Sequence, residues 1–80
     1  MTNPSLPSAA DYARLGRALL ALRLAAGLTQ EDAAVKIGIR GNFVSLIENG
    51  HRGMRWHTLL AFLNAYGADL HALADTIDAD

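Results

Sequence analysis

Two short apolar-periodic segments separated by a single glycine, within residues 29–50, constrain this chain more than any other feature. In the first, Ala33, Ala34 and Ile37 recur at the three- and four-residue steps of one helix face. Thr29 stands where its hydroxyl can cap that helix, and Asp32, three residues on, completes a capping box. Gly38 follows, with the backbone freedom that a helix end needs. In the second segment Val44 and Ile47 point inward, and Gly50 closes it. The pattern predicts two short helices joined by a tight turn.

The flanking sequence supplies three more helices. Residues 1–7 carry Pro4 and Pro7 and read as a mobile arm. Ser8 is a good N-cap, with Asp11 at the third helical position of a capping box. From Ala9 to Ala26 the residues are strong helix formers, with Tyr12, Leu15, Leu19 and Leu22 on one stripe that Leu20 and Leu24 widen. Gly16 costs this helix about 1 kcal/mol relative to alanine, so close packing against another helix is expected there. Gly27 ends the helix and Leu28 turns the chain into the core. After the polar loop His51–Arg55, the stretch Trp56 to Tyr66 reads as a fourth helix. Trp56, Leu59, Leu60, Leu63 and Tyr66 form its stripe, Phe62 broadens it, and Trp56 is expected in the core or at an interface. Gly67 stops it. Asp69 can cap a fifth helix in which Leu70, Leu73 and Ile77 share a face with Ala74, before an acidic, frayed tail over residues 78–80. No strand pattern and no internal repeat is visible. The expectation is an all-α bundle of five short helices forming one domain over residues 8–77.

Several function classes fall away. Eighty residues make one domain with a modest core. Without cysteine there is neither a disulfide framework nor a thiol nucleophile. The longest apolar run, around Ala18 to Leu22, is far too short to span a bilayer, and a soluble, cytoplasmic protein is expected. His51, His57 and His71 are scattered without metal-ligand spacing, so no metal is expected. No catalytic constellation or phosphate-cradling loop is present, and neither an enzyme nor a cofactor is expected. The net charge of −1 at face value argues against a nucleic-acid partner, but its distribution matters more than the sum. All seven basic residues lie between positions 14 and 55, a window holding only Glu31, Asp32 and Glu48 as acids. The middle of the chain is basic and its ends are acidic, a mild footprint for DNA.

The central stretch has the layout of a helix-turn-helix, whose second helix enters the major groove of DNA. The chain also resembles the phage repressor/Cro-type (XRE) helix-turn-helix family over roughly residues 12–74. The resemblance rests on Leu15-Gly16, Leu22-Arg23, Gly27-Leu28-Thr29-Gln30-Glu31, Ala34 and Ile37-Gly38-Ile39. It continues through Val44-Ser45, Ile47-Glu48-Asn49-Gly50, Leu59-Leu60 and Tyr66-Gly67. It implies that Arg40, Gly41, Asn42, Phe43 and Leu46 face the bases. Thr29, Gln30, Asn49, His51, Arg52 and Arg55 would lie along the phosphates, and Arg23 and Glu48 would form a structural ion pair. Asn42 can pair with adenine and Phe43 can touch a thymine methyl, whereas Gly41 and Leu46 offer no polar side-chain contact. The last two helices carry more large apolar residues than so small a core needs. Leu63, Tyr66, Leu70, Leu73 and Ile77 are therefore expected at a homodimer interface. The implied function is a sequence-specific DNA-binding transcriptional regulator, a repressor of a palindromic operator, with double-stranded DNA as partner. The alternative is an antitoxin that binds a toxin protein, since the region from Phe43 to Gly67 also resembles HipB-like antitoxins.

Overall fold

Ser8 begins the first helix as the sequence predicts. In the computed structural model, which describes residues 6–79, its hydroxyl accepts the Asp11 N–H at 3.2 Å and the Asp11 carboxylate accepts the Ser8 N–H at 2.9 Å. Helix α1 then runs Ala9–Ala25, followed by α2 Gln30–Ile37, α3 Gly41–Glu48, α4 Trp56–Ala65 and α5 Leu70–Ala79. Among the described residues there is no strand. Asp69 starts α5 by accepting the Ala72 N–H at 2.8 Å. That helix continues through Asp78 and Ala79, so two of the three residues expected to fray are helical. Most of the expected arm, residues 1–5, and the terminal Asp80 lie outside the described residues.

Helix α1 is the spine, packing against α3 on one side and α5 on another, while α2 bridges α3 and α4. Leu19, Val44, Ile47 and Phe62 are the largest fully buried side chains. They draw the core from α1, α3 and α4, and Ala33 and Ala34 bring α2 onto it. Phe62 meets Tyr66 edge-on, with ring centroids 6.0 Å apart at 89°, a favourable aromatic geometry. Gly16 is among the most buried positions of α1 because the α3 backbone approaches it there. The close packing expected at Gly16 is thus present.

Burial departs from the expected stripes at their edges. Trp56 is 60% exposed, not core: it is the first residue of α4, one turn before the part of that helix covered by its neighbours. Leu24 and Ala74 are also exposed, lying on the outer sides of α1 and α5. Of the five residues expected at a dimer interface, Leu63, Tyr66 and Leu73 are buried within a single chain. The bundle closes over them because α4 and α5 fold back on α2 and α1. Ile77 is half-buried, and Leu70 is 45% exposed. Leu60 and Ala68 line a shallow apolar depression beside Leu70, where α4 ends and α5 begins.

Candidate nucleic-acid interface

The turn between α2 and α3 is set by Gly38, whose φ of +84° lies in the left-handed region that favours glycine. In that conformation the Gly38 and Ile39 N–H groups both donate to the Ala34 carbonyl, at 2.8 and 3.0 Å. The chain is then extended at Arg40 and re-enters a helix at Gly41. At the other end of α2, the Thr29 hydroxyl accepts the Asp32 N–H at 3.0 Å, and Asp32 accepts the Thr29 N–H at 3.1 Å. The N–H of Thr29, above all, holds the Asp32 carboxyl below its usual value.

Helix α3 has two different faces. Val44 and Ile47 enter the core, and Glu48 is buried beside them. Glu48 is the node of a polar clamp. Arg23 Nε and Nη2 donate to its two carboxylate oxygens at 2.6 and 3.1 Å. Arg23 Nη1 donates to the Leu28 carbonyl at 2.7 Å, and Gln30 Nε2 donates to Glu48 Oε1 at 2.9 Å. The hydrogen bonds to Glu48 hold the Arg23 guanidinium above its already high value. The Glu48 carboxylate therefore ties α1 and α2 to the back of α3, and Arg23 also holds the α1–α2 turn. The ion pair implied for Arg23 and Glu48 is formed.

The outer face of α3 is open. Arg40 and Asn42 are exposed, and Gly41, Phe43, Ser45 and Leu46 are half-buried. An open cleft of about 570 Å³ lies between the starts of α2 and α3 and brings together Thr29, Gln30, Gly41 and Asn42. Glu31, also on its rim, is the acidic exception. The remaining candidates extend the surface past the end of α3. Asn49 and His51 are exposed, the Asn49 amide donating back to the Ser45 carbonyl at 2.9 Å. Arg52 lies over the Phe43 ring, its guanidinium carbon 4.5 Å from the centroid, and Arg55 precedes α4. A second cleft of about 510 Å³ runs between these arginines, with Tyr12 and Phe43 among its walls.

Two residues join the surface that the sequence did not single out for it. Ser45 lines the first cleft three residues after Asn42, a spacing that puts both on one helical face. Tyr12 lines the second cleft through a contact with Gly53 that no local pattern reveals. Among the described residues, no group of three or more histidine or carboxylate side chains is placed to hold a metal.

Comparison with known proteins gives the same architecture. A family model described as a helix-turn-helix domain matches residues 14–76. The restriction-modification controller protein C.AhdI from Aeromonas hydrophila is 31% identical, with a TM-score of 0.76 over 80% of this chain and 97% of that one. The clp gene regulator ClgR from C. glutamicum superposes with a TM-score of 0.81 at 21% identity, covering 96% of both chains. The controller protein C.Esp1396I, solved as a tetramer on its natural 35-base-pair operator, gives 0.77 at 20% identity over 85% of this chain and 90% of that one. No curated protein matches the chain.

Proposed function

This chain belongs to the helix-turn-helix domain family, and we propose that it is a sequence-specific DNA-binding transcriptional regulator. It acts as a repressor by occupying a palindromic operator as a homodimer. The observation that carries this reading is the division of α3: clamped from behind through Glu48, open in front, with exposed cations at both ends. Eight residues rise about 12 Å, a length that fits a major groove about 12 Å wide.

In this reading Asn42 is the principal base reader, suited to adenine, with Leu46 offering only apolar contact to a thymine methyl. Arg40 and Gly41 lie at the groove edge. Thr29, Gln30, Asn49, His51, Arg52 and Arg55 flank it along the phosphates, which supply most of the affinity and none of the base preference. With so few base contacts, DNA shape carries part of the specificity. The dimer face is narrower than five residues: Leu70, with Leu60 and Ala68 beside it, is the exposed part. A dimer that reads two half-sites one turn of DNA apart has to place its two α3 helices about 34 Å from each other.

The related controller protein seen as a tetramer on its operator supports the DNA and assembly parts of this reading. No helix among the described residues is long and apolar enough to cross a membrane, and the reading places the protein in the cytoplasm with its DNA. We assign it no catalytic role, metal or cofactor.

Selection of bound duplexes from a random pool tests the proposal. Enrichment of a palindrome with half-sites one turn apart is the expected result. No enrichment would remove the DNA-reading role and leave a protein partner, such as a toxin, as the function of this surface. A salt titration separates the contributions further: binding must weaken steeply with salt, and a flat slope would remove the phosphate assignments.

A further inference from the structure

Phe43 and Arg52 were expected to do separate things, one touching a base and the other a phosphate. The structure couples them. The Arg52 guanidinium carbon sits 4.5 Å from the centroid of the Phe43 ring, while the ring itself is half-buried and packs against the core. One face of the aromatic is therefore already occupied by a cation.

The loop that carries Arg52 is pinned on both sides by α1. Gly50 has φ +74°, and a Cβ there would come within 2.8 Å of the Ala13 Cα. Gly53 lies flush on the Tyr12 ring, where a Cβ would collide with Cε1. Both glycines let the loop close onto the first turns of α1, and Arg52 lies between them. A free arginine gives up rotamer entropy when a ligand orders it. A side chain already stacked on a ring, in a loop already fixed, gives up less.

We propose that Phe43 is not a base reader but the platform that holds Arg52 ready for a DNA phosphate, with the Tyr12–Gly53 contact fixing the loop. This rests on the DNA-binding reading above and replaces the base-facing role that the family resemblance implies for Phe43. Arg52 is the contact, and Phe43 is its positioning residue.

A double-mutant cycle on the full chain, read by binding to the duplex recovered from selection, tests it. Arg52→Ala should weaken binding to all sequences alike and lower the salt slope by about one per monomer. Phe43→Leu keeps the apolar packing but removes the ring, and should weaken binding roughly two- to five-fold with base preference unchanged. In the Arg52→Ala background, Phe43→Leu should cost nothing more. Arg52→Lys, which keeps the charge without the planar group, should lose affinity as Phe43→Leu does and guards against an unfolded Phe43→Leu variant. The proposal is overturned if Phe43→Leu shifts preference at one base pair. It is equally overturned if the loss persists undiminished without Arg52, or if Arg52→Lys binds like the wild type. Failure of the wild type to bind any duplex would instead remove the DNA reading itself.

Discussion

Gly16 of α1 lies against the backbone of Ile47 in α3 with no room for a side chain between them. A Cβ at position 16 would collide with the Ile47 carbonyl oxygen and come within 2.7 Å of the Glu48 carbonyl oxygen. Backbone atoms on the far side cannot swing away as a flexible side chain would. Gly16→Ala should therefore destabilise the domain by about 2 kcal/mol through overpacking, although alanine is the better helix former. Chemical denaturation checks this, and a variant as stable as the wild type would show that α1 and α3 can separate without cost.

Arg23 stands two turns after Gly16 on the same side of α1, and that close approach brings its guanidinium to Glu48. Both groups are 6% exposed. Removing one leaves the other charged, buried and unpaired, which costs about 3–5 kcal/mol. Arg23→Ala should lower Tm by more than roughly 10 °C in a domain of this size. Glu48→Ala should do the same and also release Gln30. A melting temperature within a few degrees of the wild type for either variant would mean that the clamp does not hold α3.

The Tyr66 hydroxyl is buried and has no hydrogen-bond partner among the described residues. Tyr66→Phe should leave stability unchanged or raise it by up to about 1 kcal/mol, since the ring packing stays and an unsatisfied group goes. Burial first, then the Glu48 charge, pushes the Tyr66 hydroxyl up to about 12 from 10.0. The folded state thus holds this proton more tightly than the unfolded state. The associated stability is complete below about pH 10 and is lost as pH rises toward 12. Alkaline unfolding of Tyr66→Phe should be shallower across that window; an unchanged profile would assign the alkaline limb to other groups.

The two capping-box carboxylates set the acid side. Hydrogen bonds from the Ser8 and Thr29 N–H groups hold Asp11 and Asp32 below their usual value of 3.8. Their contribution is present above that value and disappears as pH falls through the depressed folded values. Asp32→Asn, which cannot titrate, should flatten the acid loss of helix signal in circular dichroism. An acid titration identical to that of the wild type would show that the α2 cap is not a pH-sensitive element.

Gly41 is the counterpart of Gly16. Its φ is not left-handed and a Cβ there would meet nothing within 4 Å. The fold gives no reason for glycine at this position. Gly41→Ala should fold at least as stably as the wild type, because alanine loses less backbone entropy in a helix. If the α3 backbone approaches DNA closely here, the same variant binds the operator more weakly. Unchanged binding would remove Gly41 from the DNA surface.

The local elements were legible from residue order because their causes are local. Ser8 with Asp11 and Thr29 with Asp32 are capping boxes in sequence and in space, and Gly38 terminates α2 as its position implied. Periodicity likewise named Leu19, Val44 and Ile47 as inward-facing, and all three are fully buried. The Arg23–Glu48 pair spans 25 residues and was legible only through resemblance to a family; no spacing rule links those positions.

What the sequence by itself determined was five helices, the caps of α1, α2 and α5, and the turn at Gly38, since each depends on hydrogen bonds within a few residues. Only the tertiary structure decided how far each apolar stripe is covered. Leu63, Tyr66 and Leu73 are sealed in the core, whereas Trp56 and Leu70 on the same two helices are exposed. The tertiary structure also decided that Arg52 rests on Phe43, because that contact needs the loop to close against Tyr12 and Ala13. A stripe records which side of a helix is apolar; where a neighbouring helix begins and ends, and so which residues it covers, is fixed by packing between segments distant in sequence.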